Sequence, residues 1–280
     1  MTATARTPGA PAATAAGRDG LRLVATDLDG TIVRHDGTIS DRTVAALQAV
    51  EAAGGSVVFV TGRPPRWMAP VAERTGHTGI AVCANGALVY DLHTERVVER
   101  FEIAPAVGRE VVRALRSAVP GVALACETTE RFSHEAHYAM RYEVNEPRVV
   151  DGEELVSGPV FKILARHRDL DPDSLLARAR EVLGDLVEVT HSSPQDALIE
   201  VSAAGVSKAT TLATVCAERG VAQHEVVAFG DMPNDLAMLA WAGTAYAMGN
   251  AHPDVLAAVD RRTATVDEDG VAQVLEPLFR

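Results

Sequence analysis

Aromatic residues are scarce in this sequence, at 4% of 280 residues, whereas hydrophobic residues make up 47%. The core of one large or two modest domains must therefore consist mainly of alanine, valine and leucine. No apolar run approaches the length of a membrane-spanning helix, so no membrane partner is expected. Cysteine occurs only at Cys83, Cys126 and Cys216, far apart and without a C-x-x-C pair, so neither a disulfide framework nor a zinc motif is predicted.

Basic residues are also in the minority, with 26 Lys and Arg against 38 Asp and Glu and a formal net charge of −12. This balance disfavours nucleic acid as a partner, because such binding needs basic surface. Residues 1–19 are rich in Ala, Thr and Pro and lack the apolar core of a signal peptide. A disordered tail is predicted there, with a transit peptide as the alternative, and the expected location is the cytoplasm.

Two aspartates follow the first apolar run of the chain. Residues 23–25 predict a short buried strand, Asp27 and Asp29 lie beyond it, and Gly30 permits a sharp turn. In open α/β sheets, ligands bind at the carboxyl ends of the strands. Taken alone, the pattern is also typical of a strand followed by an acidic turn.

A second apolar run, residues 56–60, ends in Thr61, Gly62 and Arg63. A helix over 41–53, with Ser40 as its N-cap, separates the two runs, and this β-α-β spacing predicts parallel neighbours. Thr61 would then lie at the same edge as Asp27, where a hydroxyl beside a free backbone N–H suits a phosphate. Arg63 would assist there or form a surface salt bridge.

Two segments in the second half of the chain also place charged residues at the ends of elements. Ser207 can cap a helix, which puts Lys208 in its first turn, where a cation is unfavourable unless an anion lies nearby. A strand over 225–229 is followed by Gly-Asp231, and Asp235 suits the first turn of the next helix. Carboxylates at such an edge suit a metal ion.

These four segments, in this order, resemble the four motifs of the haloacid dehalogenase-like (HAD) phosphohydrolases. The matching residues are Asp27-x-Asp29-Gly-Thr for motif one, Thr61 for motif two, Gly-Val-Ser-Lys208 for motif three and Gly-Asp231-x-x-Asn234-Asp235 for motif four. The likeness runs from about residue 21 to near the C-terminus and is greatest to the Cof-type subgroup. It implies an α/β fold, in which a Rossmann-like parallel-sheet core carries an inserted α+β cap of the IIB type.

The resemblance also implies a role for each matching residue. Asp27 would attack phosphorus to give an aspartyl-phosphate, and Asp29 would act first as acid and then as base. Mg²⁺ would be held by Asp27, the backbone carbonyl of Asp29, and Asp231, with Asp235 as a further ligand or close by. The phosphate-binding residues would be Thr61, Gly62, Lys208 and Asn234.

Residues 20–86 and 191–280 are expected to form the catalytic core, and residues 87–190 the cap, because the latter contain none of these motifs. Within the cap, strands are predicted at 88–90, 97–98, 122–124, 161–164 and 187–189, with helices over 106–118 and 174–183. Strand character returns over 196–201, in the predicted core. The stretch between the strands at 122–124 and 161–164 is expected to be irregular.

Contacts to the leaving group of the substrate are expected from polar residues at the entrance to the cap and within it. The candidates are Arg63, Asn85, His134, His137, Arg141 and Lys162. The candidates in the irregular stretch, His134, His137 and Arg141, would equally suit an exposed turn. His134 and His137 are spaced to bind a metal only if they are helical, and no third ligand is evident. Lys162 lies in an apolar strand, which is an unusual position for a charge.

The predicted function is that of a Mg²⁺-dependent phosphatase for small phosphorylated metabolites, such as sugar phosphates, nucleotides, flavin mononucleotide or pyridoxal phosphate. Asp29 favours phosphoryl transfer, since dehalogenases need no acid at that position. Two alternatives stay open. A phosphomannomutase-like sugar phosphomutase would transfer the phosphate to a second sugar hydroxyl, and a non-catalytic sensor would only bind a phosphorylated ligand.

Overall fold

A computed structural model describes residues 20–141, 144, 146–193 and 196–279. The predicted tail, residues 1–19, lies outside the described residues, and its disorder stays a prediction. None of the helices in the described ranges is both long enough and apolar enough to cross a membrane. The three cysteines are buried and free.

The described chain forms two sheets, the larger of which carries the predicted motifs. Its strands, numbered along the chain and given in spatial order, are β13 (Thr244–Ala247), β12 (Val226–Gly230), β1 (Leu23–Thr26), β2 (Ser56–Val60), β3 (Ile80–Cys83), β4 (Leu88–Asp91) and β5 (Arg96–Arg100). Strands β13 to β3 in this order pair parallel, while β4 and β5 are antiparallel. Strands β1 and β12 are buried along their whole length, as expected for a sheet covered on both faces.

Helices connect the parallel strands and pack in pairs. The helices of this half are α1 (Asp41–Ala52), α2 (Ala69–Thr75), α5 (Lys208–Glu218), α6 (Leu236–Trp241), α7 (Pro253–Ala258) and α8 (Gly270–Leu278). Helix α1 contacts α8, and α5 contacts α6. Ser40 caps α1 by accepting a hydrogen bond from the Thr43 N–H at 3.0 Å, so the predicted N-cap is confirmed.

The second sheet has its own hydrophobic core and forms the cap. Its strands, in spatial order, are β10 (Val187–Thr190), β11 (Leu198–Ala203), β9 (Lys162–Arg166), β6 (Ala123–Glu127), β7 (Phe132–His134) and β8 (Arg148–Val149). Helices α3 (Pro105–Ala118) and α4 (Pro172–Leu183) pack against each other, and their buried leucines and valines share one cluster with those of the strands. The predicted α/β fold with an α+β cap is therefore confirmed.

The placement of several strands differs from the sequence-based expectation. Strands β4 and β5, predicted in the cap, extend the core sheet, because β4 pairs antiparallel with β3 directly after the Asn85-Gly86 turn. Strand β11, predicted in the core, lies in the cap between β10 and β9. Strands β7 and β8 occupy the stretch that was expected to be irregular. Strand pairing thus places the change from core to cap after β5 and the return after β11.

Candidate active site

Three of the predicted site residues follow neighbouring parallel strands at one edge of the core sheet. Asp27 follows β1, Thr61 follows β2 and Asp231 follows β12. The backbone N–H of Asp27 donates to the Phe229 carbonyl at 3.0 Å and continues the ladder between β1 and β12. The parallel pairing predicted from the β-α-β spacing is confirmed, and the carboxyl edge gathers the residues as expected.

Lys208 connects two carboxylates beneath this edge. Its Nζ donates to Oδ1 of Asp27 at 2.6 Å and to Oδ1 of Asp235 at 2.7 Å, and its side chain is fully buried. Lys208 is the first residue of α5, whose N-cap Ser207 forms a reciprocal capping box with Thr210. The Lys208 cation therefore lies at the N-terminal end of the helix, which repels positive charge. The carboxylates of Asp27 and Asp235 are the nearby anions that were predicted to offset this repulsion.

The carboxylates differ in how many of their oxygens are already bound. Oδ2 of Asp235 accepts the backbone N–H groups of Asp231 and Met232, each at 3.0 Å, so both of its oxygens have partners. The Thr31 hydroxyl donates to Oδ1 of Asp231 at 3.1 Å. The hydrogen bonds among the described residues use only Oδ1 of Asp27 and of Asp231. Asp235 thus orders the loop after β12, while Asp27 and Asp231 each keep one oxygen for a ligand.

Gly30 makes the close approach of two acidic loops possible. Its φ of +80° is unfavourable for other residues, and a Cβ built there would lie 2.2 Å from Oδ2 of Asp231. Any larger residue would therefore displace the Asp231 carboxylate. The glycine that the sequence analysis assigned to a turn also leaves the space in which the loop after β1 meets the loop after β12.

Burial and mutual repulsion raise the pKa values of the two aspartates that have a free oxygen. Burial raises the pKa of Asp27, Lys208 opposes this, and Asp235 and Asp29 add to it, so the pKa reaches about 7. Burial, with Asp27 and Asp235 nearby, raises the pKa of Asp231 well above its usual range. Burial alone would lower the pKa of Lys208, but Asp235 and Asp27 outweigh it and the pKa is raised.

The residues present fit a magnesium ion. One carboxylate oxygen from each of Asp27, Asp231 and Asp235 lies within 4.8 Å of the other two, and all three residues are buried. Hard oxygen donors are the ligands that Mg²⁺ prefers. Three buried carboxylates lie close together with the single ammonium group of Lys208, and a divalent cation would supply the missing positive charge.

The stability of the metal-free protein should therefore depend on the protonation of Asp27. Its folded pKa of about 7 exceeds the ordinary value of 3.8, so its contribution to stability is full below about pH 4 and is lost as the pH rises through 7. In EDTA, we expect the thermal midpoint of Asp27→Asn, relative to that of the wild type, to rise as the pH rises from 4 to 8. Equal pH profiles for the two proteins would contradict this.

Arg63 forms an ion pair with the second predicted catalytic residue. Its Nε donates to Oδ2 of Asp29 at 2.8 Å and its Nη2 to Oδ1 at 2.5 Å. The Asp29 side chain is 58% exposed, in contrast to that of Asp27, which is buried. The salt-bridge interpretation of Arg63 is therefore correct, and its partner is the predicted acid–base residue. This bidentate pair fixes the orientation of the Asp29 carboxylate.

A hydrogen-bonded chain connects the cap to the catalytic loops. Asn234 donates to Asn85, Asn85 donates to Glu200, and Lys162 donates both to Glu200 and to the Gly62 carbonyl, the last at 2.7 Å. Glu200 and Lys162 come from β11 and β9 of the cap, whereas the other three residues come from the core. Burial would raise the pKa of Glu200, but Lys162, Asn85 and Ser192 outweigh it and lower it. Two of the predicted residues, Asn85 and Lys162, thus meet at the Glu200 carboxylate, and a third, Asn234, joins them through Asn85.

The other cap candidates lie apart from this chain. The Nδ1 of His134 contacts the Glu135 carbonyl at 2.9 Å, and the ring lies among Phe132 and Tyr138. His137 contacts the Val122 carbonyl, and Arg141 pairs with Asp196 at 3.3 Å. His134 ends a strand and is followed by a turn, so the helical spacing needed for metal binding by His134 and His137 is absent. Their predicted contact with a leaving group stays a prediction.

Sequence reasoning missed three residues that the structure adds to the site. The Thr31 hydroxyl donates to Asp231, and Glu200 forms an ion pair with Lys162. The Asn250 side chain donates to the Gly30 carbonyl at 2.8 Å and accepts a hydrogen bond from the Val266 N–H. Thr31 belonged to a recognised motif but had no assigned role. Glu200 lies between two apolar residues in a strand, and this pattern does not indicate an ion pair.

A family model described as haloacid dehalogenase-like hydrolase matches residues 24–275. The chain belongs to this family. Solved structures agree: the HAD subclass IIB sugar phosphatase BT4131 aligns with a TM-score of 0.77 at 25% identity, covering 91% of this chain and 98% of that one. The HAD enzyme is therefore a phosphoric monoester hydrolase with a IIB-type cap.

Curated relatives resemble this HAD phosphatase over nearly their whole length. Two are 5-amino-6-(5-phospho-D-ribitylamino)uracil phosphatases of Bacillus subtilis (strain 168). YcsE is 31% identical, with 91% of this chain and 94% of the relative covered, and YitU is 29% identical, with 92% and 97% covered. Pyridoxal phosphate phosphatase YbhA of Escherichia coli (strain K12) is 26% identical, with 91% and 97% covered.

Proposed function

We propose that this HAD enzyme is a Mg²⁺-dependent phosphatase that hydrolyses small phosphorylated metabolites through an aspartyl-phosphate on Asp27. The observation that carries the proposal is the position of Lys208 between Asp27 and Asp235, with Asp231 beside them. A phosphate dianion would be repelled by these carboxylates alone. Lys208 provides positive charge from below, and Mg²⁺ held by Asp27, Asp231 and the Asp29 carbonyl would supply the rest, which lets a carboxylate approach the phosphate.

In the first step, a carboxylate oxygen of Asp27 forms a bond to phosphorus while the bond from phosphorus to the ester oxygen breaks. Asp29 in its protonated form gives a proton to the leaving oxygen, which avoids expulsion of an alkoxide, and the carboxylate that remains is the form that pairs with Arg63. The Thr61 hydroxyl, the Gly62 N–H and the Asn234 side chain would, with Lys208, hold the oxygens of the transferred phosphoryl group as charge develops.

In the second step, Asp29 takes a proton from water, whose oxygen then attacks the phosphorus of the aspartyl-phosphate. The bond between phosphorus and the Asp27 oxygen breaks, which releases inorganic phosphate and restores the carboxylate. The ion pair with Arg63 holds Asp29 in place between the two proton transfers. The exposed side chain of Asp29 leaves room for both the leaving group and the water.

A cleft between core and cap suits a ring-bearing leaving group. A cavity of about 400 Å³ is lined by Arg66 and Trp67 of the core and by Arg131, Phe132 and Phe161 of the cap. The Arg66 guanidinium lies 5.1 Å from the centre of the Trp67 ring and also pairs with the Glu127 carboxylate at 2.9 Å, so the two core side chains form a flat surface whose charge is balanced by the cap. Together with the names of YcsE and YitU, this cleft favours a phosphorylated chain that carries a pyrimidine as the substrate.

Phosphate release from a panel of metabolites tests both levels of the proposal. With Mg²⁺ and no sugar bisphosphate, we expect at least about a 10-fold higher kcat/KM for 5-amino-6-(5-phospho-D-ribitylamino)uracil than for ribose 5-phosphate, because the ring adds contacts in the cleft. EDTA should abolish release. Equal rates for the two compounds would overturn the substrate assignment only, whereas no Mg²⁺-dependent release from any compound would overturn the phosphatase mechanism.

A further inference from the structure

A second cluster of metal-binding side chains lies where the cap meets the core, apart from the catalytic carboxylates. Asp173 lies in the first turn of α4 and His191 follows β10, both in the cap, whereas His252 immediately precedes α7 in the core. Nε2 of His191 lies 2.9 Å from Oδ1 of Asp173, and Nε2 of His252 lies 3.6 Å from Oδ2. One carboxylate thus faces two imidazoles that come from different halves of the molecule.

We propose that Asp173, His191 and His252 bind a zinc ion that joins the cap to the core. Zinc bonds of about 2.0–2.1 Å in tetrahedral geometry would place the ligand atoms about 3.4 Å apart. The contacts of 2.9 and 3.6 Å are made to different oxygens of the Asp173 carboxylate, and one ligand atom from each of the three residues lies within 4.8 Å of the other two. Small side-chain movements would complete three ligands of a tetrahedron and leave the fourth position for water.

The second ring nitrogens of the two histidines determine whether each Nε2 can bind the ion. Nδ1 of His252 accepts the backbone N–H of Asp254 at 3.3 Å and lies 3.7 Å from the Asp254 carboxylate. Zinc binding at Nε2 would therefore move the ring proton to Nδ1, which would then donate to that carboxylate in place of accepting the N–H. Nδ1 of His191 is buried and has no hydrogen-bond partner among the described residues. Because no described residue bonds to it, Nδ1 can carry the ring proton and leave Nε2 free to bind the ion.

The donor atoms separate this site from the catalytic one. Two imidazole nitrogens and one carboxylate suit zinc, whereas the all-oxygen set of Asp27, Asp231 and Asp235 suits magnesium. The enzyme would therefore hold two different metals at two places. Because the zinc ligands come from both halves, a bound ion would oppose separation of the cap from the core.

Cobalt substitution tests the zinc site without relying on activity. Four-coordinate Co²⁺ with nitrogen ligands absorbs visible light strongly, unlike six-coordinate Co²⁺ among oxygens. In the full-length protein with excess Mg²⁺, we expect one equivalent of Co²⁺ to give strong visible absorption that Zn²⁺ removes. His252→Ala should weaken Zn²⁺ binding by more than about 100-fold, and Asp254→Asn by about 10- to 100-fold, since the latter alters only the orientation of a ligand.

Two matched variants keep the result interpretable. His93→Ala removes an exposed histidine of the β4–β5 turn and should bind Co²⁺ as the wild type does. Asp173→Asn provides a second, exposed ligand change in case His252→Ala does not fold. Weak absorption of the wild type with Co²⁺, or equal Zn²⁺ affinity in the wild type, Asp173→Asn and His252→Ala, would overturn the zinc site while leaving the phosphatase mechanism untouched.

Discussion

Asp27→Asn is expected to lower kcat by at least about 10⁴-fold, because the amide cannot act as the nucleophile. We expect a larger loss than for any other single change in the site. No other described residue offers a free carboxylate oxygen at the end of β1, so none could replace Asp27 as the nucleophile. Phosphate release under saturating Mg²⁺ and substrate measures it. Turnover close to that of the wild type would exclude the aspartyl-phosphate mechanism.

The same variant should remain folded, which separates chemistry from stability. The amide that this substitution introduces can still accept the hydrogen bond of Lys208, and it avoids burying a carboxylate whose pKa is about 7. We therefore expect a thermal midpoint at pH 7 in EDTA no lower than that of the wild type. Asp185→Asn, at an exposed turn of the cap, is the matched control and should retain full activity.

Lys208→Met is expected to lower both stability and activity. Removing the ammonium group leaves the buried carboxylates of Asp27 and Asp235 facing each other without a cation, and breaking a buried pair in this way costs about 3–5 kcal/mol of unfolding free energy. The loss of a charge that contacts the phosphoryl group should lower kcat by about 10²- to 10³-fold. Urea unfolding in EDTA and phosphate release with Mg²⁺ measure the two effects.

Lys162→Met is the matched control, because Lys162 is equally buried and also pairs with a carboxylate, that of Glu200 in the cap. We expect a comparable loss of unfolding free energy but a much smaller fall in kcat, since Lys162 contacts the backbone of Gly62 and not the reacting carboxylates. Equal falls in kcat for the two variants would assign the effect of Lys208 to lost stability and not to the phosphoryl group.

The catalytic edge could be predicted from the sequence because its signals are local. A short apolar run gives a buried strand, and Asp27, Thr61 and Asp231 directly follow three such runs. The capping residue Ser207 likewise fixed Lys208 in the first turn of α5. In each case the neighbouring residues determine both the element and its end, so a correct secondary structure was enough to bring the side chains to one edge.

The arrangement of the cap could not be predicted in the same way, because it depends on pairing between distant segments. Strands β4 and β11 are short runs that contain apolar residues, as their neighbours are, and only their hydrogen-bonded partners place one in the core sheet and the other in the cap. Lys162 was recognised as an unusual charge in an apolar strand, but its partner Glu200 is 38 residues away. The sequence around each of these two residues does not indicate that they form a pair.

The burial of Lys162 and Lys208 has a consequence for the chemistry of the protein surface. They are the two lysines of the whole sequence, and their exposures are 2% and 0%. All other side-chain positive charge comes from arginine and histidine, so amine-directed reagents should modify the folded chain only at its α-amino group. Acylation of the two ε-amines would then report unfolding, and enzymatic acetylation or ubiquitin attachment at lysine would require the chain to open first.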